Sequence, residues 1–498
     1  MYSVNKVPAK ASLIIEWGFM MNIGRLPPPA LAMASFIAGV AVHSFFPLTT
    51  VPVQIWWILA AALALSFAFY LYDRSFAVCC LIFVVFIFGL WRFDVAVPTK
   101  IALQDVSEHV GTVKDVQDGI YGLQAKVAID GGPIVQFNLK QTIAVGSMVG
   151  FSCALKPLEQ KDGELDRRYA ANLHRAQAKC TVKDLTVIKP PAWWDVRQIF
   201  ADLRDWTTAR ITAAMPGDEG ALIAGMLYGE RGMSAEAQDR FRRAGLTHLI
   251  AVSGSNITIV ASVVFALLMG IGLWRRQAFW ATSIALLAYV TFAGFSASVA
   301  RAAAMGWLVL FARHTGRLHK TWYVLLVSAA VLNMIDPWML GYDAGFALSF
   351  LATMGLMVWS PIFSERLSFL PEVGGVREAA STTFGATLMT LPYMAFAFER
   401  ASLAGLLTNV VAVPLVPYAM LFGAVAAAWG NLPGWTIVSL PAMGVAKTIF
   451  AAAKIADLLP WLDIHMERMD LALCLATYGL IAYIWFALRR KKAFSTGK

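Results

Sequence analysis

Charge is what this sequence has least of for its size. Asp, Glu, Lys and Arg make up 14% of its 498 residues, where a soluble chain carries nearer a quarter, and an ordinary soluble protein is thereby excluded. Metal-ligand spacing is missing as well. The seven histidines are scattered, with no H-x-x-x-H or H-x-H pair, so neither a metal nor a cofactor is expected. A nucleophile elbow is also absent: Ala251-Val252-Ser253-Gly254-Ser255 lacks the G-x-S-x-G pattern, and Ser253 and His248 share no helix face. With no catalytic constellation in view, the chain is expected not to be an enzyme. Cysteine is scarce. Of five, Cys79, Cys80 and Cys474 lie in apolar runs and read as inert packing. Cys153 and Cys180 lie in the one sizeable polar stretch and suit a disulfide if that stretch is outside the cytoplasm.

What is abundant is apolar sequence, 58% of the residues. Several uninterrupted runs of about 20 residues mark a polytopic membrane protein. We place spans at 30–46, 53–71, 76–97, 249–272, 278–293, 299–312, 322–335, 344–360, 379–398, 402–428, 434–457 and 470–488. The loops set the orientation. Arg275-Arg276, the cluster Arg313–Lys320 and the tail from Arg489 are basic and should be cytoplasmic, whereas Asp457–Asp470 is acidic and should be outside. Twelve crossings with both termini in the cytoplasm satisfy this rule. The net charge of +10 is then a topology signal, since the last ten residues hold five Lys or Arg and no acid.

Residues 98–190 change character. Short β-patterned runs near 108–117, 122–130, 133–139, 147–155 and 178–188, with a polar helical stretch at Asp166–Gln177, predict an OB-like β-barrel on the extracytoplasmic side. Its aromatics, Tyr121, Phe137, Phe151 and Tyr169, are few for a stacking platform, and nucleic-acid contact competes with a plain scaffold role. From Pro190 to Met215 the pattern is amphipathic, with Val196, Ile199, Phe200 and Leu203 on one face. This predicts a helix lying in the membrane interface. Asp218 is expected to cap a short apolar helix to Tyr228, re-entrant or interfacial rather than spanning. The predicted organisation is therefore 1–97 with three spans, 98–190 as the β domain, 191–247 interfacial, 248–488 polytopic and 489–498 a basic tail.

The most specific stretch runs from Gly229 to Val260. A Gly-bounded turn carries Glu230 and Arg231. Ser234 stands where a helix N-cap belongs, a charged helix follows, and Gly245 stops it. His248-Leu249-Ile250 then opens an apolar run holding the polar cluster Ser253, Gly254, Ser255 and Asn256. This block resembles the signature of the ComEC-type competence family, the inner-membrane channels for DNA uptake. The G-[DE]-R turn matches Gly229-Glu230-Arg231, and H-L-[LI]-A-[VI]-S-G-x-[HN] matches His248 to Asn256. Ser255-Asn256 stands where many relatives have an apolar residue and His. The resemblance continues at Ser298-Val299-Ala300-Arg301-Ala302, at Asp343 to Phe350, and at Asn409 to Pro414. Many members carry a further metallo-β-lactamase-like nuclease domain with an H-x-H-x-D-H motif, which this sequence does not contain.

The resemblance implies a multi-pass channel of the bacterial inner membrane that passes single-stranded DNA into the cytoplasm during transformation. Its partners would be membrane lipids, a DNA receptor, a cytoplasmic helicase and a separate nuclease. Polar side chains at membrane depth are expected to face a shared wet path: Ser253, Asn256, Arg301, Asn409 and Lys447, with Gly254, Ser255 and Asp343 beside it. Each has a packing alternative. Arg301 could snorkel to headgroups, Asp343 could cap the helix from Ala344, Asn409 could bond a neighbouring helix, and His248 could be a satisfied interfacial histidine. Rival functions are a transporter of a small or lipid-linked solute and a non-transporting membrane assembly protein.

Overall fold

The structure is a computed structural model that describes residues 27–45, 74–96, 104–157 and 178–496, with short breaks of one to five residues inside the last two ranges. The expected span 53–71, the polar stretch at 166–177, and Glu230 and Arg231 lie outside the described residues. In chain order the elements begin with helices α1 (Pro28–Phe45) and α2 (Arg74–Val95), then strands β1 (Gln104–Gly119), β2 (Gly122–Ile129), β3 (Ile134–Asn138), β4 (Met148–Pro157), β5 (Ala178–Cys180) and β6 (Asp184–Lys189). Helices α3 (Val196–Ala214), α4 (Asp218–Tyr228), α5 (Ala235–Arg243), α6 (Thr247–Ile250), α7 (Gly254–Gly270), α8 (Arg275–Phe292) and α9 (Ala297–His314) follow. Next come α10 (Thr321–Ile335), α11 (Trp338–Tyr342), α12 (Ala344–Val358), α13 (Ser360–Arg366) and α14 (Val376–Phe398). The chain closes with β7 (Arg400–Ser402), α15 (Gly405–Trp429), α16 (Trp435–Leu458), β8 (Asp463–His465) and α17 (Leu471–Thr496).

These elements form two compact units. One takes α1, α2, the end of α9, α10 and α11; the other takes the strands and the remaining helices. In the first, α1 and α2 cross backbone to backbone: a Cβ on Gly39 would lie 2.1 Å from the Phe86 carbonyl oxygen, and one on Gly89 would lie 2.4 Å from that of Phe36. Small residues allow such approach where no hydrophobic force drives helices together. Arg92 donates from Nε to the Met334 carbonyl (2.9 Å) and from Nη2 to that of Ile335 (2.8 Å), holding the end of α10.

In the second unit β1 to β6 form one sheet, and β7 and β8 form a separate antiparallel pair. Antiparallel pairings join β1 to β2, β2 to β3, β5 to β4, and β4 to both β1 and β6; β3 and β5 pair in parallel. The expected last strand, 178–188, is two strands: β5 bridges β3 and β4, and β6 pairs elsewhere along β4. Phe137 and Phe151, each 3% exposed, pack against each other in the core with Val127, Val135 and Val149. They are therefore core residues and are not available to stack on bases.

Helix lengths revise the expected membrane crossings. Among the described residues three helices are long and apolar enough to span, Gly405–Trp429, Trp435–Leu458 and Leu471–Leu488. The pair α12 and α13, bent by 46°, makes a fourth if it is one span. Other expected spans are apolar helices of 10–17 residues, Pro28–Ser44, Gly254–Gly270, Val299–Ala312 and Trp322–Ile335, the last two with the expected bounds and all below the ~20 residues of a straight crossing. The first polytopic span is also interrupted, because α6 ends at Ile250 and α7 begins only at Gly254.

The long helices meet largely through small residues. α16 buries Ser439, Ala442, Ala446, Ala452, Ala453 and Ala456 along with Ile449, and α15 buries Ala412, Ala419, Gly423 and Ala426 along with Val416 and Met420. Ile437, Leu440, Leu458, Leu407 and Leu421 are exposed. Small residues permit close helix approach in lipid.

Candidate functional site

The core of the second unit is built around the short helices α4, α5 and α6, enclosed by α7, α8, α15 and α16. α4 is accordingly a buried helix, with Leu222, Ile223, Met226 and Tyr228 all in the interior. The last carbonyls of any helix lack internal partners, and in a membrane each orphan costs several kcal/mol. Here the end of α4 is closed by its own turn and by two other helices. Gly229 turns left-handed (φ +82°) and its N–H returns to the Gly225 carbonyl at 2.9 Å. Asn256 of α7 donates from Nδ2 to the Met226 carbonyl (3.0 Å), and the Tyr289 hydroxyl of α8 donates to that of Leu227 (2.5 Å). The Tyr228 hydroxyl shares a 2.8 Å hydrogen bond with Thr208 of α3.

The polar cluster therefore folds as a cap. Ser253 is the N-cap of α7, and its Oγ accepts from the Asn256 N–H. The same hydroxyl lies 2.6 Å from Ser255 Oγ and donates to Asn256 Oδ1 at 2.8 Å. These bonds aim the amide of Asn256, 1% exposed, at α4, while Gly254 and Ser255 stay exposed. Arg301 of α9 is 4% exposed, so it does not snorkel to a surface. Its neighbour Ala302 faces this turn, since a Cβ on Gly254 would lie 3.9 Å from Ala302 Cβ.

A second junction lies at the end of α5. Ser234 caps that helix as expected, accepting from the Ala237 N–H at 3.2 Å. Asp218 does not cap its own helix: its carboxylate accepts from the Ser234 N–H (2.7 Å) and the Ser234 hydroxyl (2.8 Å). At the other end Gly245 (φ +69°) crosses Gly405 of α15. The Arg243 carbonyl accepts from Ser402 Oγ (2.5 Å) and that of Ala244 from Thr408 Oγ1 (2.7 Å). Arg240 and Arg243 both reach Asp457 of α16, at 3.2 and 3.0 Å. Asn409, half-buried, follows Thr408 on α15, and its Oδ1 has no hydrogen-bond partner among the described residues.

The remaining expected residues separate from this core. Lys447 and Lys454 are exposed on the outward face of α16, opposite the alanine face, so Lys447 does not join the buried core. His248 is exposed on α6. Asp343 belongs to the other unit, in extended conformation between α11 and α12. The amphipathic helix α3 buries Ile211, with Met215 just past its end also in the core, and leaves Val196, Ile199, Leu203 and Trp206 exposed. Its Arg210 stacks on Trp206 at 3.9 Å and donates to the carbonyls of Ala427 and Ala428 at the end of α15, both at 3.4 Å.

Sequence reading missed Thr208, Tyr228, Tyr289, Ser402, Thr408 and Arg210. The signal was weak: single hydroxyls or one Arg in apolar or amphipathic runs, bonded to a hydroxyl 20 residues away or to carbonyls 62 to 218 residues away. Thr408→Val tests their importance. It removes a donor from the buried Ala244 carbonyl at nearly constant volume, and a loss of about 1–3 kcal/mol is expected, read as a lower thermal midpoint in detergent.

The model of the competence protein family matches residues 226–491, more than half of the chain, and that range contains α5 to α16. Among curated proteins, "ComE operon protein 3" of Bacillus subtilis is 28% identical over 230 residues, covering 45% of this chain and 28% of that protein. "Recombination protein 2" of Haemophilus influenzae is 24% identical over 270 residues, covering 50% of this chain and 34% of that protein. The chain thus matches about a third or less of these relatives' own length. No solved structure matches it. By the family match across its helical core, the chain belongs to the competence protein family.

Proposed function

We propose that this protein acts in DNA uptake during competence, as a channel of the bacterial inner membrane that passes single-stranded DNA to the cytoplasm. The observation that supports the reading is the coincidence of the family match, residues 226–491, with a core in which the Ser253–Asn256 turn separates α6 from α7 and Asn256 caps the end of α4. Such breaks in apolar helices are tolerated where backbone is buried in protein or lines a wet cavity. Sparse rather than dense positive charge suits a polyanion, because conduction requires weak binding. Partners are single-stranded DNA, membrane lipids, and the receptor, helicase and nuclease of an uptake machine. The test is deletion. Loss of this chain should block passage of labelled DNA into the cytoplasm while leaving surface binding intact; undiminished passage would refute the channel.

The β unit fits an extracytoplasmic OB-like barrel. The pairings β1–β2–β3–β5–β4 return to β1, a cyclic order with one parallel pair, and the sixth strand extends it. Its place outside the cytoplasm is tested by a reporter active only in the cytoplasm, fused near Asp162, which should be silent.

In the same unit Cys153 is buried on β4, and Cys180 on β5 pairs with Leu155, two residues from Cys153. We infer a Cys153–Cys180 disulfide. The closed loop of about 27 residues gives roughly 3–4 kcal/mol in the chain-entropy model. Both thiols should resist a membrane-impermeant maleimide until reduced. Reaction of both without reduction would exclude the bridge.

A further inference from the structure

The helix α15 is held at two places by different elements. At its amino end Thr408 donates to the Ala244 carbonyl at the end of α5 (2.7 Å), and Gly405 crosses Gly245. Just before the helix the Leu403 N–H reaches the Leu462 carbonyl (2.8 Å). Toward its carboxyl end Gly423 packs on α4 so closely that a Cβ would lie 2.4 Å from Ile223 Cγ2, and Arg210 of α3 donates to the carbonyls of Ala427 and Ala428. Thr408 and Gly423 are fifteen residues apart, about 22 Å along a helix axis.

Between these two anchors the helix carries Pro414 and Pro417. Proline has no N–H, and its ring clashes with the carbonyl four residues back. The carbonyls of Val410 and Val413 therefore lose their partners within the helix, and both breaks fall on one flank because positions three apart share a face. The hydroxyl of Thr408 is spent on the carbonyls of Ala244 and Ala404 and does not replace them. The neighbouring long helices α14 and α16 carry a single interior proline each, Pro392 and Pro441, so the doubled break belongs to α15. Through this stretch α15 buries Ala412, Val416, Ala419 and Met420. Such apolar contacts carry no directional bond, and packed helices slide along them in shear motions.

We propose that α15 is a hinged helix: its amino segment moves with α5 and its carboxyl segment with α3 and α4, about a hinge at Val410–Pro417, and this motion opens the path for DNA. The last clause rests on the channel reading above; the hinge does not. Sharp kinks in long helices fall at proline, and two missing ladder bonds lower the cost of bending there. A hinge needs only a few residues that absorb the backbone change while the bodies on either side keep their contacts. Those contacts are the hydrogen bonds and glycine crossings at the two ends of α15. Asp218 and Ser234 tie the starts of α4 and α5 together, which supplies a second pivot between the bodies. Pro417 is exposed and Pro414 half-buried, so neither is there to fill the core. The proline of the N-x-x-x-x-P element, Asn409 to Pro414, thereby gains a mechanical role.

Spin-label distances test the hinge in lipid vesicles carrying the full chain with Cys79→Ala, Cys80→Ala and Cys474→Ala. Labels at Leu407→Cys and Val425→Cys, both exposed positions, flank the hinge. Labels at the exposed Leu471→Cys and Ile484→Cys of α17, a helix without proline, give the width of an unbroken helix. The α15 pair should show the broader distribution, and Pro414→Ala with Pro417→Ala should narrow it to the α17 width. An α15 distribution as narrow as that of α17, or one that the double alanine variant leaves unchanged, would overturn the hinge. The double variant also regains two helix bonds and should melt at a higher temperature, while import of labelled DNA per folded molecule falls about tenfold. Prolines without a role in motion would give the higher midpoint and no loss of import. Unchanged import beside a narrowed distribution keeps the hinge and removes it from the DNA path.

Discussion

Gly245→Ala is expected to abolish accumulation of folded protein. Two costs coincide at this position. The backbone is left-handed (φ +69°), which strains any residue with a Cβ by about 1–3 kcal/mol. The added methyl would also lie 2.8 Å from Gly405 Cα and 3.2 Å from its nitrogen, and backbone cannot yield as a side chain would. Separation of α5 from α15 would in turn break the bonds from Ser402 and Thr408. The sum approaches the ~5–15 kcal/mol that holds a typical domain together. Gly405→Ala is the informative partner, because its Cβ meets Gly245 Cα at an ordinary 3.4 Å, and it should be tolerated. Gly270→Ala is the control: a Cβ there meets nothing within 4 Å. Fluorescence-detected size exclusion in detergent reads all three. A monodisperse Gly245→Ala peak of normal height would show that the crossing is dispensable.

The same position illustrates what the sequence makes legible. A Gly after a charged helix announces a helix stop, and that stop is present at Gly245. That it also marks a crossing with Gly405, 160 residues later in the numbering, is written nowhere in local pattern. Ser234 was legible as an N-cap for the same local reason. Asp218 was misjudged because sequence alone did not show that Ser234, sixteen residues on, would take its carboxylate. Spans were found by hydropathy, but hydropathy measures affinity for lipid and not helix length. It merged α6 with α7 across the Ser253 cap. It was also blind to which face of α16 is inside, since alanine and leucine are both apolar. Lys447 misled for a related reason: depth along a helix was legible, direction around it was not.

Arg301→Met carries the second large effect, and it falls on activity. Arg301 lies on α9 beside Ala302, which faces the Ser253–Asn256 turn, and the residue is 4% exposed. A buried guanidinium in an apolar helix is expensive, so its presence calls for a role. Methionine keeps the length of the side chain and removes its charge and donors. If Arg301 serves the DNA path, the variant should reach the membrane in normal amount and elute as a single species. Import of labelled DNA should fall about tenfold or more, the effect of ~1.4 kcal/mol on a barrier, and Arg301→Lys should restore part of it. If Arg301 instead holds helices together, its removal strands a buried partner, a loss of the kind that costs about 3–5 kcal/mol. Protein level and DNA import would then fall in proportion, and the lysine variant would not separate them. Quantifying import per molecule of folded protein decides between the two: an unchanged ratio assigns Arg301 to packing, and a collapsed ratio assigns it to the path.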